Sequence, residues 1–176
     1  MKTIQKYFLI FMIYAFIGWI YEEVLEVLIY QTGFTNRGVL FGPYLPVYGF
    51  GVLLFLVTIY PIIKNKKGKE RWLLLPLVFL GCMLVATTLE LITSYICEYF
   101  SGDWPWEYDE YKINFEGRIA LNPSVRFGIG GVVFLYFLQP VIEKLINKLS
   151  NKKLNYISII LAIIFIIDLI YSFIIK

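Results

Sequence analysis

The sequence contains no histidine, only two cysteines and few charges, since Asp, Glu, Lys and Arg make up 16% of its 176 residues. A soluble domain typically has about 25% charged residues. This chain is 59% apolar, and its mean hydropathy is +0.71. These values exclude an ordinary soluble enzyme, a disordered chain and a nucleic-acid-binding protein. The sequence predicts an all-α polytopic membrane protein with a single transmembrane domain over residues 1–176, and no nucleic-acid partner.

The missing histidine limits the chemistry that is available. Histidine is the commonest general base and metal ligand at neutral pH, so Ser–His and Cys–His nucleophiles and histidine metal sites are excluded. Cys82 and Cys97 would lie about 22 Å apart on one helix, too far to form a disulfide with each other. We expect no metal site and no cofactor, so any chemistry must use carboxylates and arginines.

Long apolar runs are the main feature that is present. About 20 apolar residues cross a bilayer as a helix, and the sequence predicts about five such spans, at 7–30, 46–63, 72–100, 124–145 and 154–175. Glycines and prolines between the first two spans prevent a continuous helix. We therefore expect a re-entrant or irregular external segment there, buried by protein or lined by water.

Basic residues are distributed unequally between the two sides that five spans define. Eleven of the 16 share the side of the N-terminus. The positive-inside rule then predicts a multi-pass protein of the plasma membrane with a cytoplasmic N-terminus and an external C-terminus. The two short lysine-rich loops are expected to contact membrane lipids with anionic headgroups. The eleven residues are Lys2, Lys6, Lys64, Lys66, Lys67, Lys69, Arg71, Lys144, Lys148, Lys152 and Lys153.

Acidic residues inside the predicted spans mark a candidate site. A charge at the bilayer centre costs at least about 2.5–3.5 kcal/mol, so it should face a partner or water. At about 1.5 Å per residue from the cytoplasmic end, Glu22, Glu90 and Asp168 lie at about 23, 26 and 21 Å. The shared depth predicts one polar pocket in the outer third of the membrane. The alternative is a salt-bridge network that only locks the helices together.

The external side also supplies the predicted ligand-binding residues. Arginine binds carboxylate or phosphate through a planar fork, and three arginines flank the outer ends of the spans. The outer segment 101–123 is rich in aromatic residues and is either an interfacial belt or a lid over the pocket. Glu22 and Glu90 are the candidate catalytic residues, and the candidate substrate-binding residues are Asn36, Arg37, Tyr48, Glu98, Trp106, Asn114, Arg118, Ser124, Arg126 and Asp168.

Several motifs follow one another in an order that resembles a known family. They read FIGWIYEEVLE, TNRGVLFGPYLPVYGFG, LELITSYICEYF and INFEGRIALNPSVRFG. From the first span to about Gln139–Pro140, the chain resembles the putative ABC-transporter type IV family (CmpB-like permease proteins). Carried over by position, the motif residues are Gly18, Trp19, Glu22, Asn36, Arg37, Gly38, Gly42, Pro43, Pro46, Tyr48, Gly49, Glu90, Glu98, Asn114, Gly117, Arg118 and Ser124.

The resemblance implies a permease. An ABC permease binds an ATPase through a cytoplasmic coupling element, whereas both predicted cytoplasmic loops are short lysine clusters. The sequence also has no P-loop of its own. An ATPase partner is therefore unsupported by the sequence. The motif residues gather instead on the predicted external side.

Three classes of function fit these observations. The first is a protein that binds or transports an anionic or lipid-like ligand through the external pocket, where buried carboxyls with raised pKa values could exchange protons. Five spans do not form equal repeats, so a homodimer could supply the missing half of a carrier. The second is an enzyme acting on a lipid or lipid-linked phosphate, with a Glu general base and an Arg anion clamp. The third is a non-catalytic assembly or sensing factor.

Overall fold

The structure is a computed structural model that describes residues 2–36, 38 and 40–175. The chain forms two compact units. Met1–Leu53 and Val141–Lys176 make the first unit, and Leu54–Pro140 makes the second.

Helices account for most of the described chain. In order, the elements are α1 (Lys2–Val24), a π-helical segment (Leu25–Tyr30), α2 (Pro46–Thr58), α3 (Tyr60–Lys64), α4 (Gly68–Leu73), α5 (Leu75–Ser101), β1 (Asn114–Phe115), β2 (Ile119–Ala120), α6 (Leu121–Val133), a second π-helical segment (Phe134–Leu138), α7 (Gln139–Asn147) and α8 (Asn151–Ile175). The described residues of the segment 31–45 form neither helix nor strand, so the predicted irregular segment after the first span is confirmed.

Four helices of the described chain are long and apolar enough to cross a membrane, namely Lys2–Ile29, Leu75–Ser101, Leu121–Asn147 and Asn151–Ser172. The helical membrane-protein class is therefore confirmed, whereas the count of five is not. The predicted span 46–63 is divided between α2, which has 13 residues, and the short α3. Pro61 explains the division, because proline lacks a backbone N–H and its ring clashes with the preceding helical turn.

The first unit packs around α1. Phe11, Met12 and Ala15 form a buried core with Leu40 and Tyr44 from the irregular segment. The backbone N–H of Leu45 donates to the carbonyl oxygen of Ala15 at 2.9 Å. The irregular segment is therefore held along α1 by both apolar contact and hydrogen bonding.

The second unit is built on close packing of α5 against α6. A Cβ atom at Gly128 would lie 2.6 Å from the ring of Phe79, and one at Gly131 would overlap the side chain of Cys82. Small residues let helix backbones approach closely inside membranes. The pairing of α5 and α6 therefore depends on these two glycines.

A two-stranded hairpin precedes α6. Strands β1 and β2 are antiparallel, with Asn114 opposite Ala120 and Phe115 opposite Ile119. Gly117 in the turn has a φ of +64°, and a Cβ there would lie 2.6 Å from Oδ1 of Asp109. Glycine meets both requirements, since it has no Cβ and adopts positive φ readily. The hairpin turn places Arg118 directly before β2, which leads into α6.

Candidate functional site

In the first unit, Asp168 on α8 holds the irregular segment. Its carboxylate accepts the backbone N–H groups of Phe41 at 3.0 Å and Gly42 at 2.8 Å. The hydroxyl groups of Tyr44 and Ser172 donate to the same carboxylate. Burial and the neighbouring carboxylate raise the pKa of Tyr44, so this phenol stays protonated and remains a donor. Asp168 thus anchors the segment that leads into α2.

Glu22 on α1 is paired with α2. The Tyr48 hydroxyl donates a hydrogen bond to the Glu22 carboxylate. The two helices come close enough for this bond because residue 18 is glycine, where a Cβ would overlap the Tyr48 ring. The structure therefore brings together two residues that the sequence predicted for the site.

Two further acids are buried, Glu23 at the end of α1 and Glu26 in the π-helical segment that follows it. The exposed fractions of Glu23 and Glu26 are 6% and 2%. The backbone N–H of Thr35 donates to Glu23 at 3.3 Å, and the hydroxyl of Thr32 donates to Glu26. The irregular segment therefore supplies hydrogen-bond donors to buried carboxylates as well as apolar contacts.

Asn36 joins α1 to the irregular segment. Its side-chain oxygen accepts the indole N–H of Trp19 at 3.0 Å, and its amide donates to the carbonyl oxygen of Phe41 at 3.1 Å. Its φ of 47° lies in the left-handed region, which asparagine tolerates better than most residues. Arg37, predicted to bind the ligand, lies outside the described residues.

In the second unit, Arg118 is buried near the C-terminal end of α5 with an exposed fraction of 6%. Its Nη2 atom donates to Oε2 of Glu98 at 2.6 Å, and its Nε lies 3.4 Å from Oε2 of Glu116. The guanidinium carbon also lies 4.2 Å from the Tyr95 ring centroid and 3.9 Å from that of Trp104. Two carboxylates and two aromatic rings therefore surround one positive charge.

The two acids around Arg118 are much more accessible than the arginine itself. The exposed fractions of the Glu98 and Glu116 side chains are 43% and 57%, against 7% for Arg118. The Glu116 contact is also the longer one. Water can compete for exposed carboxylates, so the Glu116 ion pair is the weaker of the two.

Glu90 lies on α5, two turns before Glu98. The Tyr108 hydroxyl donates to Oε1 of Glu90 at 2.8 Å, and Glu90 is 9% exposed. Tyrosine hydroxyls thus donate to each of the three carboxylates that the sequence places at a shared depth, since Glu22 and Asp168 have corresponding partners in the first unit.

Three other predicted residues of the second unit make local structural contacts. Ser124 donates to the carbonyl oxygen of Ala120 at 2.8 Å and accepts the hydroxyl of Thr87 at 2.7 Å. The Trp106 indole donates to the carbonyl oxygen of Arg118 at 2.9 Å. Asn114 accepts the Gly117 backbone N–H at 3.1 Å and so closes the hairpin turn. These contacts hold the outer segment and α6 in place beside α5.

Arg126 has a different environment from Arg118. It is exposed and lines an open cleft of about 370 Å³. The other lining residues are Tyr111, Lys112, Ile113, Leu121, Asn122 and Val125. Among the described residues, no group of three His, Cys, Asp or Glu side chains is arranged to hold a metal ion.

Several residues of these clusters were missing from the predicted set. Tyr44, Tyr108, Tyr95 and Trp104 all contact a predicted charge. The aromatic richness of the two outer segments was the available signal, but it is also typical of a membrane-interface belt. Lys112 was also absent from the set, because sequence spacing alone does not bring it beside Arg126.

A comparison with models of protein families identifies the family of this chain. The family model described as Putative ABC-transporter type IV matches residues 9–173, a range that extends beyond the predicted resemblance and includes Asp168. No curated protein and no solved structure matches the chain. The match and the four span-length helices agree with a multi-pass, permease-like membrane protein. The chain belongs to the putative ABC-transporter type IV family.

Proposed function

We propose that this protein binds or transports an anionic or lipid-like ligand, which it takes from the external side through arginine and acidic residues. Membership of a family described as transporters favours transport over catalysis. Counted over the five spans that the sequence predicts, the charge asymmetry favours an external location for the outer segment 101–123.

The burial of Arg118 carries this proposal. Charges inside membrane proteins are costly, and they commonly mark the path of a substrate or an ion. Gly128 and Gly131 already pack α6 closely against α5, so this helix pair does not need a buried ion pair to associate. The polar residues at the outer end of α5 therefore exceed what helix packing requires.

An anionic ligand can reach Arg118 by replacing Glu116. The Glu116 side chain is 57% exposed and contacts Nε at 3.4 Å. A phosphate or carboxylate that displaced it would meet a guanidinium whose orientation is already fixed by Glu98, Tyr95 and Trp104. A pre-positioned arginine loses little entropy when it binds an anion. In this proposal Glu116 occupies the anion site while no ligand is bound.

Binding of phosphatidylglycerol to the protein in phosphatidylcholine nanodiscs tests the proposal. We expect the wild type to prefer phosphatidylglycerol, and Arg118→Gln to weaken its binding by about tenfold, or 1.4 kcal/mol. Glu70→Gln is the control, because this side chain is 72% exposed and pairs only with Lys66 in the described structure. Thermal unfolding of each variant separates loss of binding from loss of fold.

Two results would contradict the proposal. One is a wild type that binds phosphatidylglycerol and phosphatidylcholine equally. The other is a folded Arg118→Gln variant that binds phosphatidylglycerol like the wild type. Because Arg118 is buried, its replacement could also prevent folding. In that case the Glu116→Gln variant tests the proposal instead. It removes a competing carboxylate from an exposed position and should strengthen the binding of phosphatidylglycerol.

A further inference from the structure

We propose that Trp104 and Tyr95 complete the Arg118 site as hydrogen-bond donors to the ligand, and that the ligand is a lipid with a terminal phosphate, that is, a phosphate monoester. The inference rests on the proposed function, which brings an anionic ligand to Arg118 in place of Glu116. It goes further because it assigns two ligand-binding residues outside the predicted set and narrows the ligand from an anion to one chemical class.

Two buried N–H groups of this site lack an acceptor. Within the described residues, neither Nε1 of Trp104 nor Nε of Arg118 has a hydrogen-bond partner, although both atoms are buried. The Glu116 carboxylate lies 3.4 Å from Nε of Arg118, close enough for an ion pair but without the geometry of a hydrogen bond. A buried donor without an acceptor is costly and uncommon in folded proteins. Two such donors in one site favour an acceptor that is not part of the chain.

The two donors belong to side chains that contact each other. The guanidinium carbon of Arg118 lies 3.9 Å from the centroid of the Trp104 ring. Because the indole nitrogen is part of that ring, a single small anion can reach both N–H groups. The indole N–H lies in the plane of its ring, and the guanidinium lies over that plane. The two donors therefore face an anion from different planes.

One carboxylate oxygen of the chain marks the position of the first ligand oxygen. Oε2 of Glu116 accepts the Tyr95 hydroxyl at 3.1 Å and also lies 3.4 Å from Nε of Arg118. The Glu116 side chain is 57% exposed, so a ligand can compete with it. A ligand oxygen in this position would accept hydrogen bonds from both the Tyr95 hydroxyl and Nε of Arg118.

The number and arrangement of the donors favour a phosphate monoester. Once Glu116 is displaced, Tyr95, Trp104 and Arg118 each offer one donor, while Nη2 of Arg118 remains paired with Glu98 at 2.6 Å. A phosphate monoester has three strong acceptor oxygens in a tetrahedral arrangement. A carboxylate has only two, in one plane, and a phosphodiester has two terminal oxygens. With either of these, the Trp104 N–H would remain without an oxygen of its own.

The surface beside Tyr95 favours a lipid over a free phosphate. Tyr95 is 44% exposed on α5, and Ile92 and Ile96 beside it are 51% and 52% exposed. The helix that carries them is long and apolar enough to cross a membrane. A lipid whose phosphate lies at Arg118 could therefore place its acyl chains along this exposed apolar surface.

Phosphatidic acid is the probe for this inference, because its headgroup is a phosphate monoester, and phosphatidylglycerol is the corresponding diester. Binding of each lipid is measured in phosphatidylcholine nanodiscs for the wild type and for Trp104→Phe, which keeps a ring beside Arg118 but removes the N–H. We expect the wild type to bind phosphatidic acid about tenfold more tightly than phosphatidylglycerol, the factor for one hydrogen bond to a charged acceptor. Trp104→Phe should lose this preference, because its binding of phosphatidic acid weakens by about the same factor.

Tyr99→Phe is the control for this measurement. It removes a hydroxyl from a side chain that is 83% exposed on the same helix as Tyr95, so it should keep the wild-type preference. A wild type that binds the two lipids equally would overturn the inference. A folded Trp104→Phe variant that keeps the preference would overturn it as well. The wild-type comparison needs no substitution, so it tests the ligand class even if Trp104→Phe does not fold.

Thermal unfolding in detergent without added lipid tests the unpaired state of the Trp104 N–H. Trp106→Phe is the matched variant, because the Trp106 indole donates to the carbonyl oxygen of Arg118 at 2.9 Å. We expect Trp104→Phe to lower the melting temperature less than Trp106→Phe, since it removes a buried donor that has no acceptor in the described chain. Equal losses would overturn the inference, because the Trp104 N–H would then have an acceptor, such as a water, in the ligand-free protein.

Soluble glycerol 1-phosphate distinguishes the two sources of a phosphate monoester. We expect it to compete poorly with phosphatidic acid, because it lacks the acyl chains that would contact Ile92 and Ile96. Equal competition would overturn the assignment to a lipid.

The variants also separate this inference from the proposed function. If Arg118→Gln weakens the binding of both lipids while Trp104→Phe changes neither, the role of Trp104 is wrong and the proposed function stands. If neither variant changes the binding of either lipid, the proposed function is wrong too.

Discussion

The backbone N–H of Gly42 donates to Oδ2 of Asp168 at 2.8 Å, across 126 positions of sequence. This contact joins the irregular segment after the first span to the last helix of the chain. The segment has no helix or strand among its described residues, so its polar backbone depends on such side-chain partners. Asp168 is therefore central to the stability of the first unit.

Replacement of Asp168 by asparagine should destabilise the protein. The carboxylate accepts hydrogen bonds from four donors. An asparagine amide offers only one acceptor oxygen, and its NH₂ group would face groups that are themselves donors. We expect a loss of about 1–3 kcal/mol in the free energy of unfolding. Thermal unfolding in detergent measures it, with the exposed Glu107→Gln as the control. Equal melting temperatures for the two variants would contradict the anchoring role.

Three glycines of α6 offer a matched test of helix packing. Gly128→Ala places a methyl group 2.6 Å from the Phe79 ring, whereas a Cβ at Gly130 meets nothing within 4 Å. We expect Gly128→Ala to cost about 1–3 kcal/mol through overpacking. Gly130→Ala should be neutral or stabilising, because alanine is favoured over glycine in a helix by about 1 kcal/mol.

The same unfolding assay measures both variants, and Gly131→Ala should resemble Gly128→Ala because its Cβ would overlap Cys82. If Gly130→Ala were as destabilising as Gly128→Ala, the packing of α5 against α6 would differ from the one described.

Removal of the Tyr108 hydroxyl should lower the free energy of unfolding, because the buried Glu90 carboxylate loses this hydrogen-bond donor. Tyr108→Phe deletes the donor 2.8 Å from Oε1 of a carboxylate that is 9% exposed. Loss of a hydrogen bond to a buried acceptor costs about 1–3 kcal/mol. Tyr99→Phe is the matched control, because Tyr99 is 83% exposed on the same helix as Glu90. Identical unfolding of the two variants would mean that Tyr108 does not support Glu90.

The sequence predicted the helical class and the outer carboxylates because both depend on local signals. Apolar runs define spans, and an acid within such a run stands out whatever surrounds it. The break near Pro61 was missed, because the run 46–63 is apolar throughout and hydropathy does not report where a helix is interrupted.

The partners of these charges were not predictable in the same way. Asp168 and Gly42 are far apart in sequence, and nothing local indicates that one oxygen will accept the N–H of the other. The neutralisation of Arg118 by Glu98 and Glu116 likewise depends on the hairpin that returns residue 118 to α5. These contacts depend on long-range packing, which cannot be predicted from the local pattern of a single sequence.

The Glu116→Gln variant tests the central claim most directly. This variant removes one negative charge beside Arg118 and should leave the guanidinium available to an anionic ligand. The control is Glu107→Gln, which removes the same charge elsewhere in the outer segment. For phosphatidylglycerol in phosphatidylcholine nanodiscs, the account predicts binding about two- to fivefold tighter for Glu116→Gln than for Glu107→Gln, the range expected for an exposed ion pair. Equal or weaker binding by Glu116→Gln would contradict the claim that Arg118 receives the ligand.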